Sequence, residues 1–237
     1  MENHNLDKLA VPITPAQIIK TDLDLATIKS LNAYAEANGL VVVLTGGYAT
    51  EALCGGNITR PHGDVDIHLQ KGDIGDSKQI FSLIEEEIIF KEPTNWKTFK
   101  QTDTKSEYRE EDESKPFFDR RRLEIVLYAS ENSAWYVPAF LVDSQGERIN
   151  VQVVEINDLL AQKIHKFYSL KDVVDTSKER HTDDRDIYDL KRLLNSPNFD
   201  LEKMLRILAE NRVQSEAKGG KIDQARKEFD YVSDLYK

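Results

Sequence analysis

Two aspartates one residue apart, Asp64 and Asp66, flank Val65 at the head of the apolar run that continues through Ile67 and Leu69. Side chains alternate faces along a strand, so both carboxylates project to one side, opposite Val65 and Ile67. Adjacent carboxylates repel unless a cation lies between them, and the hard, oxygen-preferring ion for such a pair is Mg²⁺. Upstream, the β-branched run Val41-Val42-Val43-Leu44 ends at Gly46-Gly47, where a short helix-like segment opens. Paired glycines let the backbone come close to a ligand, and the first N–H groups of a helix favour phosphate. A lone Gly-Gly is an ordinary turn. Followed by an acidic strand, it makes a site for a metal-bound triphosphate.

The elements that must position these groups can be read in order. Thr14-Pro15-Ala16-Gln17 has the form of a helix start, with Leu23, Ile28, Leu31 and Ala35 as its apolar stripe and Gly39 closing it. Ser77–Glu87 carries Ile80, Phe81, Leu83 and Ile84 at helical spacing, with Glu85-Glu86-Glu87 as a solvated face. Residues 90–118 turn polar and charged and read as a β-hairpin or long loop beside the site. Residues 121–128 alternate, with Leu123, Ile125 and Leu127 on one face and Arg122, Glu124 and Val126 on the other. Trp135–Phe140 and Ile149–Val154 predict a strand pair joined by a turn at Asp143–Glu147. A helix capped by Asn157 or Asp158 then carries Leu159, Leu160, Ile164 and Phe167. A second holds Arg185, Asp186, Asp189 and Leu190, and two further amphipathic segments follow, with Gly219-Gly220 between them. The pattern is α/β (α+β): a mixed sheet flanked by helices over residues 1–155, then a helical region over 156–237.

Composition narrows the partners. The 237 residues carry a formal net charge of −10, which argues against a general nucleic-acid binder, although Arg120-Arg121-Arg122 forms a local basic patch. Cys54 is the only cysteine, so neither an internal disulfide nor a cysteine-rich metal site is available. No run approaches the roughly 20 apolar residues of a membrane span, and the first residues lack the basic start and apolar core of a signal peptide. The expectation is a cytoplasmic protein.

Gly46-Gly47-Tyr48-Ala49, Thr59-Arg60-Pro61-His62 and Asp64-Val65-Asp66-Ile67 together resemble the signature of the polymerase-β-like nucleotidyltransferases. Within that superfamily they are most similar to the lincosamide and aminoglycoside enzymes, with Tyr48 where Trp is usual. A second stretch, INDLLAQKIHKFYSL followed by RHTDDRDIYDLKRLL, resembles the helical segment of AbiEii-type toxins of the same superfamily. There a lysine and an R-D-x-x-D-L segment recur near the nucleotide, and Lys163, Arg185, Asp186 and Asp189 match them. The resemblance implies the nucleotidyltransferase fold and an Mg²⁺-dependent transfer of a nucleoside monophosphate from an NTP, taken to be ATP, to a hydroxyl. Asp64 and Asp66 would hold the metal, Gly46 and Gly47 the triphosphate. Arg60 and Lys163 would contact the nucleotide. The alternatives are local pairing for Arg60, a hydrogen bond within the loop for His62, and an ion pair between helices for Lys163 with Asp186 or Asp189, the reading favoured for the two aspartates. A third carboxylate is required on a neighbouring strand. Glu124 is the best placed, as metal ligand, general base or both. The acceptor expected from the first motif is a small molecule such as a lincosamide or aminoglycoside. The alternatives are a toxin acting on tRNA or protein and a non-catalytic nucleotide-binding protein.

Overall fold

The computed structural model describes residues 13–71, 76–115, 120–129, 135–170, 184–210 and 221–234; Gly219-Gly220 lies outside them. Helix α1, Pro15–Ala37, starts with the predicted reciprocal cap: Gln17 N donates to Thr14 Oγ1, and Thr14 N donates to Gln17 Oε1 at 2.9 Å. Leu25, Ile28, Leu31 and Ala35 are its buried stripe. Gly39 follows at φ +64°, the left-handed turn that glycine accepts at least cost.

Seven strands form one mixed sheet: β1 Val41–Thr45, β2 Val65–Lys71, β3 Trp96–Gln101, β4 Lys105–Glu110, β5 Arg122–Ala129, β6 Tyr136–Val142 and β7 Arg148–Val154. Their order is β3-β4-β5-β2-β1-β7-β6. β1 runs antiparallel to β2 and parallel to β7, and β2 runs parallel to β5. Within the charged 90–118 stretch, of which 116–118 lie outside the described residues, β3 and β4 form a hairpin that extends the sheet beyond β5. Val65, Ile67, Leu69, Leu123, Ile125 and Leu127 are buried on one face. Asp66, His68, Arg122, Glu124 and Val126 lie half-buried on the other. Helices α2, Gly46–Leu53, and α3, Ser77–Glu87, complete this unit, α3 being capped by Asp76 through Lys78 N and Gln79 N.

The chain divides after Val154. The second unit holds α4 Ile156–Leu170, α5 Asp184–Leu194, α6 Leu201–Glu210 and α7 Lys221–Asp234. Its core gathers Leu159, Leu160 and Ile164 with Leu190, Leu193, Leu205 and Leu208. The α4 cap differs from expectation. Glu155, not Asn157 or Asp158, accepts from Asn157 N at 3.0 Å, and Asn157 Oδ1 instead accepts from Asp200 N, linking α4 to the start of α6. A longer carboxylate can reach back to the second helical N–H, a role usually taken by Ser, Thr, Asn or Asp.

Asp158, freed from capping, is half-buried. Burial, reinforced by the Glu155 and Glu210 carboxylates and opposed by Lys203, pushes its carboxyl from 3.8 up to about 6. The folded protein therefore holds this proton more tightly than the unfolded chain does. The associated stability is complete below pH 3.8 and lost as pH rises through 6. Asp158→Asn should stabilise the fold by about 1 kcal/mol above pH 7, after discounting for solvent screening, and leave it unchanged near pH 4. Urea titrations at the two pH values check this. Among the described residues, no helix is long and apolar enough to cross a membrane.

Candidate active site

The sheet register decides which polar residues meet. Thr45, the last residue of β1, pairs with Asp66; Asp66 pairs on its other side with Glu124, and Glu124 with Glu107 of β4. Directly opposed residues share a face about 5 Å apart, so this register lines up three carboxylates on the open face. Asp64 precedes β2 by one residue and is exposed.

The glycines at the head of α2 fit against this row. Gly46 has φ +65°, and a Cβ there would lie 2.2 Å from Asp66 Oδ2. A Cβ on Gly47 would lie 2.2 Å from His62 Nδ1 and 3.0 Å from Arg60 Nη2. Each glycine therefore leaves room for a functional side chain as well as shaping the turn. Gly46→Ala should displace Asp66 and cost at least tenfold in turnover at about 1 kcal/mol of backbone strain, read from the rate of pyrophosphate release and from a thermal melt.

Arg60 and His62 form the floor beneath α2. Both are buried; Arg60 donates to the Pro61 carbonyl at 3.0 Å, and His62 Nε2 lies 3.1 Å from Glu51 Oε1. Glu51 also accepts from Thr59 N and Oγ1. Arg60 thus sits behind the glycine turn. Tyr48, in the aromatic position of the motif, packs on the His62 ring at 4.5 Å and donates to Asp24 at 3.0 Å. Burial, with Asp24 beside it, raises the Tyr48 phenol well above its ordinary range.

Asp24 is a hub that the sequence did not reveal. Its carboxylate accepts from Lys20 Nζ, Tyr48 Oη and, at 2.8 Å, Arg121 Nε. Lys20 also donates to the His62 carbonyl at 2.8 Å. Arg121 is 1% exposed, so Arg120-Arg121-Arg122 is not one surface patch. Alternation along an extended chain turns the middle residue inward and leaves its neighbours half-buried on the other side.

Glu124 also has a partner absent from the expectation: Lys105 Nζ lies 2.6 Å from its Oε2. Glu107 in turn accepts from Arg109 Nε and Nη2. The signal was present in Lys105-Ser106-Glu107-Tyr108-Arg109-Glu110, where charged residues alternate with buried ones. In the second unit Lys163 Nζ pairs with buried Asp189 at 3.0 Å and approaches Asp186 at 4.0 Å, the helix-to-helix ion pair held open above. The Arg185 side chain lies outside the described residues.

No three acidic, histidine or cysteine groups among the described residues converge closely enough to hold a metal by themselves. Asp64 and Asp66 offer only hard oxygen donors, and Asp66 adjoins the head of α2. That set fits Mg²⁺, which is usually bound through one or two carboxylates plus substrate phosphates and water.

The profile of the family described as "Nucleotidyl transferase AbiEii toxin, Type IV TA system" matches residues 30–233. The chain belongs to this family. It is a nucleotidyltransferase with the α/β fold of the polymerase-β-like superfamily, as both sequence resemblances implied. Among solved structures the AbiEii-family chain is similar to ANT(2″)-Ia in complex with adenylyl-2″-tobramycin, at 16% identity and a TM-score of 0.50 over 81% of this chain and 99% of that one. JHP933 from Helicobacter pylori is similar at 16% identity and a TM-score of 0.48, over 94% and 93%. A nucleotidyltransferase-like antigenic protein of Paracoccidioides brasiliensis follows at 15% and 0.45, over 90% and 95%. No curated protein sequence matches the chain.

Proposed function

We propose that this AbiEii-family nucleotidyltransferase moves a nucleoside monophosphate from an NTP to an acceptor hydroxyl, using Asp64, Asp66 and Glu124. The observation carrying this reading is the seating of Asp66 against Gly46 at the head of α2, directly across from Glu124. The backbone N–H groups at Gly46 and Gly47 donate to phosphate oxygens. Asp64 and Asp66 would hold Mg²⁺, which when bound offsets phosphate charge and favours in-line displacement. Glu124 accepts the proton of the acceptor hydroxyl. The acceptor oxygen bonds to the α-phosphorus as the bond to the β-phosphate oxygen breaks, and pyrophosphate leaves. Arg60 lies behind the glycine turn and Lys163 holds α4 to α5.

The acceptor favoured by the local charge of the β3–β4 hairpin is a polyanion such as a tRNA end. Lys97 pairs in register with Arg109, and Arg109 with Arg122, in a row of cations beside the acidic one. With Arg120 they line a cavity of about 200 Å³ that also contains Glu110 and Glu111. Phosphate contacts position such an acceptor without reading its sequence. The family's description as a toxin fits an acceptor that is tRNA or protein. A small acceptor such as a lincosamide or aminoglycoside is the second reading, supported by the glycine and D-x-D motif and by the net charge of −10.

Pyrophosphate release from each of the four NTPs with Mg²⁺, against total tRNA, a lincosamide and an aminoglycoside, tests both. The leading reading expects turnover with tRNA that Lys97→Ala/Arg109→Ala weakens by about tenfold and that falls steeply with salt. Turnover with a drug and not with tRNA would install the second reading.

A further inference from the structure

Past the carboxylate row the open face changes character. Along β2 it continues from Asp66 to His68 and Gln70, and along β5 from Glu124 to Val126 and Tyr128, each residue opposite its counterpart. Trp135, just before β6, brings its ring to these positions. Its centre lies 5.6 Å from that of His68 and 5.2 Å from that of Tyr128, and its Nε1 donates to Gln70 Oε1 at 3.0 Å. The His68 and Tyr128 rings are stacked at 6.2 Å, and Tyr136 meets Trp135 edge-on at 5.7 Å. These separations are those of aromatic pairs that support one another. The cluster is not core, however: Tyr128 is 46% exposed, and His68, Trp135 and Tyr136 are half-buried. Nor does His68 serve the fold through Nδ1, which has no hydrogen-bond partner among the described residues. Rings held in place yet partly open, beside carboxylates that act on a hydroxyl, form a platform for a flat group. Every nucleobase has a π-face that such a platform can take.

We infer that His68, Tyr128 and Trp135 form the subsite for a nucleobase of the acceptor, stacked next to the carboxylates that meet its hydroxyl. The inference rests on the polyanionic acceptor and the role of Glu124 proposed above. Register assigns the base to the acceptor and not to the NTP. The head of α2 reaches Asp66 from the Thr45 side, whereas the rings lie on the other side of Asp66, toward the far end of β2. One two-residue step along a strand, about 7 Å, separates the carboxylates from His68. Along β5 the same face carries Arg122, Glu124, Val126 and Tyr128: a cation, the carboxylate, a spacer and a ring. The terminal nucleotide of an unpaired strand presents phosphate, sugar hydroxyl and base in that order.

Tryptophan emission of the full chain reads this subsite, because the chain has two tryptophans and the other, Trp96, is only 6% exposed. The probes are a single-stranded RNA trinucleotide ending in adenosine and the same molecule with its last nucleotide abasic. The intact trinucleotide should quench the emission, and the abasic one should bind on the order of tenfold more weakly, the effect of one lost stack. Tyr128→Ala should weaken the intact probe to a similar degree, and Tyr128→Phe, which keeps the ring, should not. The loss in Tyr128→Ala should be the same at low and high salt, since stacking releases no counterions. Equal binding of the two probes overturns the inference on the wild type alone, whether or not a variant folds. Unchanged affinity in a folded Tyr128→Ala does so too, and a raised KM for the NTP with that for tRNA unchanged removes the assignment to the acceptor. Base-dependent binding of the probe without turnover of tRNA keeps the subsite and removes the tRNA reading. Turnover of tRNA that is indifferent to Tyr128→Ala does the reverse.

Discussion

Asp66→Asn should lower pyrophosphate release on the order of a thousandfold while leaving the protein as stable as before, or slightly more so. The loss follows from position. Asp66 is the carboxylate at which β1, β2 and β5 converge in register, and its Oδ2 fills the space a side chain on Gly46 would need. Electrostatic stabilisation of a phosphoryl group in flight supplies several kcal/mol, and removing one charged oxygen at its centre forfeits most of that. Stability moves the other way because Asp66 faces Glu124 directly. Opposed like charges cost about 0.2–1 kcal/mol on a sheet, so neutralising one should hold or raise the melting temperature. Measuring turnover and melting on the same preparation distinguishes this from simple unfolding. A variant within tenfold of wild-type turnover would remove Asp66 from the reaction. A variant that melts early would show that the carboxylate serves the fold.

Arg121→Met should be the most destabilising substitution in the first unit, by about 3–5 kcal/mol, the range for breaking one side of a buried ion pair. The guanidinium is fully buried. It donates to Asp24 Oδ1 at 2.8 Å, to Glu92 at 2.9 Å and to the Leu23 carbonyl at 2.8 Å, and it also bonds the hydroxyls of Thr94 and Thr27. Its Cζ lies 4.7 Å from the centre of the Trp96 ring. Methionine fills much of the volume but leaves the Asp24 and Glu92 carboxylates desolvated without their main cation. For a chain of this length each kcal/mol lowers the melting temperature by roughly 2–4 °C, so a fall near 10 °C is expected, with an earlier urea midpoint. Adding Asp24→Asn to Arg121→Met should cost less than the two single losses together, because the second change removes a charge that the first left bare. Strict additivity would mean the two residues do not act as a pair. Turnover should fall further than stability alone accounts for, since Asp24 also binds Lys20 and Tyr48, and Lys20 holds the His62 carbonyl under the glycine turn.

Much of this was determined by the sequence alone, because the deciding interactions are local. The Thr14–Gln17 cap spans one helical turn, and the 122–129 strand announces itself by alternation. Gly46-Gly47 and Asp64-Val65-Asp66 carry their chemistry within a few residues, and their order identified the superfamily that the family match then established. Alternation alone put Glu124 on the polar face of its strand, and the register sets it across from Asp66. The rest depended on pairings between distant segments. Arg121 and Asp24 are 97 residues apart, and nothing in Arg120-Arg121-Arg122 says that its middle member turns inward to a buried carboxylate while its neighbours do not. Lys105 is separated from Glu124 by a hairpin turn, and only the β4–β5 register places the ammonium on that carboxylate. The pairing of Lys163 with Asp189, 3.0 Å away and fully buried, likewise joins two helices that the sequence does not show to be neighbours. Composition and periodicity set which face a charged side chain takes. Its partner there is chosen by the strand order and register, which exist only once the chain has folded.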